Sequence, residues 1–351
     1  MNYIKSKAAI LRNINKPLDI STIFVPTKLL KGQVLVKMMY AGICGSQLGE
    51  IKGIKGKDEY LPHLLGHEGI AEVIKLNTKV KKVKKGDVVL LHWMPSNGIN
   101  SKTPIYFDKK KQKINAGYVT TFNEYAIVSE NRLTKIEKNK KKFLDYLLLG
   151  CTSSTAIGSV NKNLPIFKNS LIIVSGCGAI GLYIIKYLNF LGIKKIIGVD
   201  IDNKKIEFAK KIGCSMVFNS LNKNFIKKLK KYLNNKGADY IYECSGNAAQ
   251  ISKMFQVLNS KGTLNLIGVP KFGTKSEFNT LEINLGKKII GNKGGDFFAK
   301  KHLPPYKKII FSKKCNHKNL IMETIELNKL NSFFKKMEES KVIGKAIIKF
   351  Q

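Results

Sequence analysis

Arginine is nearly absent from this chain of 351 residues, although Lys and Arg together number 62 against 24 Asp and Glu, for a formal net charge of +38. Only Arg12 and Arg132 are arginine, so the positive charge is almost entirely lysine. Nucleic-acid interfaces rely heavily on arginine for bidentate contacts to phosphate and guanine. We therefore expect no specific nucleic-acid partner, and we interpret the lysines as a solvated surface that still attracts anionic small molecules.

The sequence also lacks long hydrophobic runs and paired cysteines. The uncharged stretch 171–185 is too short to span a bilayer and holds three glycines. The cysteines show no paired spacing, which argues against a disulfide framework and favours reduced thiols. They are Cys44, Cys151, Cys177, Cys214, Cys244 and Cys315. The N-terminus shows no signal-peptide pattern, so a cytoplasmic location without a membrane partner is expected.

The pattern of short apolar runs changes along the chain. An apolar content of 44% and this length predict roughly two packed domains. In the first 150 residues, runs such as 33–43, 69–76 and 87–93 are rich in β-branched residues and predict a β-rich domain. From about residue 169, strands alternate with helices of ten or more residues. This alternation predicts an α/β fold class with a doubly wound parallel sheet covered on both faces.

A glycine-rich turn follows the first strand of the alternating half. Residues 176–181 fit G-x-G-x-x-G after the strand that ends at Ser175. The first glycine permits a tight turn, the second lets the backbone approach a pyrophosphate, and the third lets helix and strand pack closely. Asp200 closes the next strand at the spacing of an acid that hydrogen-bonds a ribose 2′-OH, which favours NAD over NADP. The cofactor-binding residues expected in the turn are Gly176, Gly178, Ala179, Ile180 and Gly181.

Three residues with metal-binding side chains stand in distinctive segments. They are Cys44 in AGICGS, His67 in LLGHEG and Cys151 in LLGCTSSTA. Each has an ordinary explanation by itself, as a small buried hydrophobic residue or a hydrogen-bonded histidine. Their spacing in the sequence does not show that they meet.

These segments, together with GDVVLL, TFNEYAIVS, the glycine-rich turn and LNLIGVP, resemble the zinc-dependent alcohol dehydrogenase family of the medium-chain dehydrogenase/reductase superfamily. The resemblance covers nearly the whole chain. It implies a GroES-like catalytic domain at 1–151, a Rossmann NAD-binding domain at 152–291 and a return to the catalytic domain at 292–351. It also implies hydride transfer between NAD(H) and an alcohol or polyol, or the matching aldehyde or ketone, by a homodimer or homotetramer.

The resemblance also assigns roles to individual residues. The ligand set of the family places one catalytic zinc on Cys44, His67 and Cys151. The further assignments are Glu68 behind the metal, Ser46 as the hydroxyl that takes the alcohol proton, Thr155 beside the nicotinamide, Gly268 and Val269 at its carboxamide, and Lys345 at the pyrophosphate.

The chain departs from the family in its second metal site and its proton relay. The stretch 92–125 has none of the four cysteines that hold a structural zinc in many relatives, so we expect one zinc per chain. The relay histidine is absent from the stretch 47–50, which leaves another group or water to carry the proton.

His92 and Trp93 match a position that lines the substrate pocket of the family. His92 would contact a hydroxylated substrate, and Trp93 would either narrow the pocket or only fill the core.

Two other functions stay open on the sequence. One is a biosynthetic enzyme that acts on a keto group of a sugar, cyclitol or phosphorylated intermediate, which the basic surface and His92 favour. The other is a non-catalytic nucleotide-binding or nucleic-acid-binding protein on the same fold. The complete set of Cys44, His67 and Cys151 argues against the second, because a pure binding protein has no need of an open metal site. Neither the substrate nor the direction of reaction follows from the residues.

Overall fold

The computed structural model describes residues 2–315 and 318–351, which form strands and short helices joined by loops. The strands are β1 (Tyr3–Leu11), β2 (Asp19–Pro26), β3 (Gln33–Ile43), β4 (His63–Leu64), β5 (Gly69–Leu76), β6 (Val88–Leu91), β7 (Ile105–Asp108), β8 (Lys113–Asn115), β9 (Tyr125–Ser129), β10 (Leu133–Lys135), β11 (Leu171–Ser175), β12 (Lys195–Asp200), β13 (Met216–Asn219), β14 (Ala238–Glu243), β15 (Leu258–Leu266), β16 (Lys288–Gly291), β17 (Ile321–Ile325) and β18 (Lys345–Lys349). The α-helices are α1 (Gly45–Ile51), α2 (Phe143–Leu148), α3 (Thr152–Asn161), α4 (Ala179–Phe190), α5 (Asn203–Lys211), α6 (Phe225–Tyr232), α7 (Ala248–Phe255), α8 (Thr280–Asn284), α9 (Ala299–Ile310) and α10 (Leu330–Glu338).

These elements form two compact units. The first consists of Met1–Thr152, Phe297–Phe311 and Ile321–Gln351, and the second of Ser153–Asp296 and Ser312–Leu320. The segment Ser312–Leu320 is expected in the C-terminal return to the catalytic domain, but it belongs to the second unit. The reason is that the short 3-10 helix Lys313–Cys315 packs against α4 of that unit.

The first unit contains a closed barrel, β1-β2-β7-β8-β4, and a sheet in the order β10-β6-β5-β3-β18-β17, with β9 also paired to β3. Strand β3 has the bounds that its apolar run predicts, and it pairs antiparallel with both β5 and β18. The register places Ala41 opposite Gly69 and Ile43 opposite Ala346. Strand β6 continues this sheet with Leu91 opposite Gly69. The chain segments that follow β3 and β6 and those that precede β5 and β18 therefore meet at one edge of the sheet.

The second unit is built on a parallel sheet in the order β13-β12-β11-β14-β15-β16. Its inner strands β11 and β12 are buried along almost their whole length, as expected for a sheet covered on both faces. Strand order reverses between β11 and β14, and such a switch point is where open α/β sheets bind ligands. The predicted combination of a β-rich part and a doubly wound parallel sheet is confirmed.

The end of α7 differs from the expectation drawn from the sequence. The helical pattern predicts a helix over 247–262, but α7 ends at Phe255 and β15 already begins at Leu258. Leu258 pairs with Ala238 of β14 and both side chains are buried. Pairing with a neighbouring strand thus outweighs the local helical pattern.

No single helix among the described residues is both long and apolar enough to span a membrane. Within the described ranges, one bent pair of helices, Lys140–Leu148 with Thr152–Asn161, reaches the required length and composition together.

Candidate functional site

Three metal-binding side chains converge in the first unit. Cys44 follows β3 and is the N-cap of α1, His67 precedes β5, and Cys151 lies between α2 and α3. The two Sγ atoms and the imidazole nitrogen all lie within 4.8 Å of one another. Zinc bonds of about 2.3 Å to sulfur and about 2.0 Å to nitrogen place tetrahedral ligand atoms roughly 3.5 Å apart. The three side chains therefore have nearly the separation that a zinc ion requires.

The chemistry of these donors fits zinc as well as their spacing. His67 Nε2 is buried without a hydrogen-bond partner, and an unpaired buried nitrogen is costly unless a ligand satisfies it. The side-chain nitrogen of Gln47 lies 2.6 Å from Nδ1 of the same ring, so Nδ1 is the ring nitrogen in contact with the protein and Nε2 is the one without a partner. A hydrogen bond from Cys151 holds the pKa of Cys44 well below its usual value despite burial, and a thiolate is the form that binds metal.

A buried ion pair lies behind these donors. Lys345 and Glu68 are 1% and 0% exposed, and the ammonium of Lys345 donates to Glu68 Oε1. A side chain at Gly42 would collide with the Glu68 carboxylate, so the glycine provides the space for it. Burial opposes the charge on Lys345, but Glu68, Cys44 and Cys151 keep its pKa above the ordinary value. The Lys345 ammonium is buried and already paired with Glu68. The geometry therefore does not support the predicted contact between Lys345 and a cofactor pyrophosphate.

Trp93 lies beside the metal-binding side chains, whereas its neighbour His92 does not. The ring centroid of Trp93 is 6.4 Å from that of His67, and the indole is partly exposed. The ring of His92 is fully buried, with Nδ1 2.7 Å from the carbonyl of Met94 and Nε2 3.0 Å from the hydroxyl of Thr134. Burial lowers the pKa of His92 to about 3, so its ring is neutral. Both nitrogens are thus occupied, which corrects the predicted contact between His92 and a substrate.

Ser46 is the remaining side chain expected at this site. It lies on the first turn of α1, is partly exposed, and its Oγ is 3.3 Å from the side-chain nitrogen of Gln47. The structure thus places this hydroxyl next to the residue that contacts His67.

A buried carboxylate joins two loops of the first unit. Glu130 is 3% exposed, and its Oε1 accepts the backbone N–H groups of Lys81 at 2.8 Å and Lys82 at 3.0 Å. Its Oε2 accepts the N–H of Ile99 at 2.8 Å. No local sequence pattern points to Glu130, because its carboxylate meets two loops that are distant from each other in the sequence.

The glycine-rich turn of the second unit has the geometry of a dinucleotide-binding turn. Gly176 has φ of +93°, a left-handed conformation that favours glycine, and Gly178 is the N-cap of α4. A side chain at Gly181 would collide with the carbonyl of Gly176, so helix and strand meet closely here. The carboxylate of Asp200 accepts the N–H of Cys177 at 2.7 Å, because parallel pairing places the ends of β11 and β12 side by side. Ala179 and Ile180 form the first turn of α4.

The other residues expected at the cofactor also lie in the second unit. Thr155 is buried on α3, and Gly268 and Val269 follow β15. The N–H of Gly268 donates to the carbonyl of Glu243 at 2.9 Å, while the Val269 side chain is exposed. Gly268 therefore lies beside the end of β14, at the same edge of the sheet as the glycine-rich turn.

Comparison with known proteins finds similarity along nearly the whole chain. Residues 30–138 match the family model described as alcohol dehydrogenase GroES-like domain, and residues 179–302 match that described as zinc-binding dehydrogenase. An S-(hydroxymethyl)glutathione dehydrogenase of Haemophilus influenzae is 28% identical, over 98% of this chain and 97% of the relative. Alcohol dehydrogenase-like 7 of Arabidopsis thaliana is 26% identical, over 97% of this chain and 94% of the relative.

Solved structures with the same fold cover both units. An alcohol dehydrogenase zinc-binding domain protein from Burkholderia ambifaria has a TM-score of 0.87 at 24% identity, over 100% of both chains. Benzyl alcohol dehydrogenase from Acinetobacter calcoaceticus has a TM-score of 0.85 at 22% identity, over 99% of this chain and 100% of that one. These likenesses confirm the fold class expected from the sequence.

Proposed function

Because the chain belongs to the zinc-type alcohol dehydrogenase family, we propose that it transfers hydride between NAD(H) and an alcohol or polyol, or the corresponding aldehyde or ketone. The observation that carries this proposal is the convergence of Cys44, His67 and Cys151, with His67 Nε2 buried and without a partner. Such a donor set has a clear use in an enzyme and none in a protein that only binds nucleotides. The proposal therefore replaces the non-catalytic alternative.

The residues of the site would have separate roles in binding the metal and orienting its ligands. A zinc ion held by Cys44, His67 and Cys151 would act as a Lewis acid that lowers the pKa of a bound alcohol or polarises a carbonyl oxygen. Gln47 orients the His67 ring through Nδ1. The Glu68 carboxylate lies behind the donors, and its buried pairing with Lys345 keeps two opposite charges together away from water.

Proton transfer is assigned to Ser46. Its hydroxyl is partly exposed and lies one residue from Gln47, so we propose that it takes the proton of the alcohol and passes it to water. No histidine occurs in the stretch 47–50 to extend a relay. Trp93, beside His67, would narrow the substrate pocket with its indole.

Cofactor binding is assigned to the second unit. NAD would supply the hydride acceptor, and the residues that would hold it are Gly176, Gly178, Ala179, Ile180, Gly181, Asp200, Thr155, Gly268 and Val269. The free N–H groups of the first turn of α4 favour a pyrophosphate, and the carboxylate of Asp200 disfavours a 2′-phosphate. A left-handed Gly176 and the bond from Cys177 to Asp200 support this assignment.

The proposal extends to properties that rest on family resemblance. They are a small-molecule substrate, assembly as a homodimer or homotetramer, and a cytoplasmic location. The net charge of +38 favours a second candidate of the same chemistry, a biosynthetic enzyme whose sugar, cyclitol or phosphorylated substrate is anionic or hydroxylated.

The test combines turnover with metal analysis. Alcohols, polyols, sugar phosphates, aldehydes and ketones are assayed with NAD(H) and NADP(H), and zinc is measured in the wild type, in Cys151→Ser and in Cys315→Ser. Cys315 is also buried but lies outside the donor set, which makes it the matched control. We expect one zinc per chain in the wild type and the control, and loss of both zinc and turnover in Cys151→Ser. Full turnover after zinc removal would refute the proposal.

A further inference from the structure

Glu243 ends strand β14 at the same edge of the sheet as the glycine-rich turn. It is 0% exposed, which is unusual for a carboxylate. Parallel pairing places Glu243 beside Ser175 of β11 on one side and beside Leu266 of β15 on the other. A buried acid therefore lies between the two strands whose following turns are assigned to the cofactor.

The carboxylate of Glu243 accepts hydrogen bonds from both neighbouring segments. Oε1 accepts the hydroxyl and the N–H of Ser245 and, at 3.4 Å, the hydroxyl of Ser175. Oε2 accepts the N–H of Gly246 at 3.1 Å. The hydroxyl of Ser175 in turn accepts from the side-chain nitrogen of Gln250 at 3.2 Å, which leaves its own proton for Glu243. Every neighbour thus donates to a carboxylate oxygen, and these hydrogen bonds act against the burial that raises the pKa of Glu243.

The backbone of Glu243 is hydrogen-bonded to the turn that follows β15. Its carbonyl oxygen accepts the N–H groups of both Ile267 and Gly268 at 2.9 Å. A side chain built on Gly176 would lie 2.7 Å from the nitrogen of Ser245, and one on Gly246 would lie 2.6 Å from the carbonyl oxygen of Val269. The turns after β11, β14 and β15 are therefore in direct backbone contact, with Glu243 bonded to all three segments.

We propose that Glu243 is a positioning residue for the dinucleotide. Its carboxylate ties the segment of Ser245 and Gly246 to Ser175, which precedes the turn that would receive the pyrophosphate. That segment lies against the backbone of Val269, where the nicotinamide carboxamide would bind. This inference rests on the proposed binding of NAD. Glu243 acts through Ser175, Gly246 and Gly268 rather than by touching the reacting atoms.

The substitution Glu243→Gln tests this role, because it preserves shape but removes one acceptor. The amide NH2 then faces at least one N–H or O–H donor, and a lost charge-assisted hydrogen bond corresponds to about 10-fold in affinity or more. Affinity is measured by fluorescence titration of NADH and by competition with AMP, which lacks the second phosphate and the nicotinamide. We expect NADH to bind about 10-fold more weakly, KM for NAD to rise with little change in kcat, and AMP to bind as in the wild type. Glu277→Gln makes the same chemical change on an exposed residue of the same unit and should leave all three values unchanged.

The outcomes separate this inference from the proposed function. If the wild type itself binds no NADH, the proposed function fails, and the role of Glu243 fails with it. If the wild type binds NADH and Glu243→Gln binds it equally well, or loses AMP and NADH affinity to the same extent, only the positioning role is overturned.

Ser175→Ala is the second variant if Glu243→Gln does not fold, because it removes one donor without leaving a buried charge unpaired. It should weaken NADH binding but not AMP binding, and equal binding of NADH would overturn the inference.

Discussion

We predict that the buried carboxylate of Glu130 holds together the two loops that it bonds, so that removing it destabilises the first unit. Glu130 links the segment of Lys81 and Lys82 to the loop at Ile99 through three backbone N–H groups. Lys82 adds hydrogen bonds from its ammonium to the carbonyls of Asn97 and Leu133. The perturbation is Glu130→Gln, with Glu130→Ala as the stronger change.

The expected magnitude follows from the hydrogen bonds. Glu130→Gln keeps one acceptor oxygen and turns an NH2 group toward at least one of the three N–H donors. A hydrogen bond to a charged group contributes about 1.5–3 kcal/mol, so we expect the free energy of unfolding to fall by about 2–3 kcal/mol. Glu130→Ala leaves all three donors unsatisfied and should cost about 4 kcal/mol, since the losses are not additive. At about 2–4 °C per kcal/mol, the glutamine variant should lower Tm by roughly 4–12 °C.

The assay is urea denaturation followed by tryptophan fluorescence, because Trp93 is the single tryptophan of the chain and lies in the first unit. The control is Glu124→Gln, whose carboxylate accepts one exposed backbone N–H, from Lys7 at 2.8 Å. This control should change stability by less than about 1 kcal/mol. Zinc content should stay unchanged in every variant. A loss below about 0.5 kcal/mol in both Glu130 variants would refute the assigned role.

Three further predictions concern buried charges and the cofactor. Burial lowers the pKa of His92 to about 3 from an ordinary value of 6.5, so the unfolded chain binds the proton first. Stability should therefore fall as pH decreases from 6.5 toward 3, by up to about 1.4 kcal/mol per pH unit, and denaturation of His92→Gln should show a flatter profile. Lys345→Met leaves Glu68 buried without its partner and should lower the free energy of unfolding by about 3–5 kcal/mol in urea titrations; a loss below about 1 kcal/mol would contradict the importance of the pair. Asp200→Gly removes the carboxylate that would repel a 2′-phosphate, so the ratio of kcat/KM for NAD over NADP should fall by about 10-fold, and an unchanged ratio would argue against its role.

Local patterns in the sequence determined much of the fold. Strands β3 and β5 have the bounds that their apolar runs predict, and the glycine-rich turn lies between β11 and α4 as its pattern indicates. These features depend on residues that are close in sequence, through side-chain periodicity and the conformational freedom of glycine. The position of Asp200 at the end of β12, beside the glycine-rich turn, also follows from the pattern, because parallel strands joined by one helix bring their carboxyl ends together.

Only the tertiary structure decided which distant side chains meet. Antiparallel pairing of β3 with β5 and β18 brings Cys44, Glu68 and Lys345 to one edge of a sheet, and no local pattern encodes this register. The same holds for Glu130 and Glu243, whose partners come from separate loops. His92 and Trp93 are adjacent in sequence but differ in environment, because β6 ends at Leu91 and the chain bends at Trp93. The residue types thus predicted the chemistry, whereas strand register and burial decided which of them can carry it.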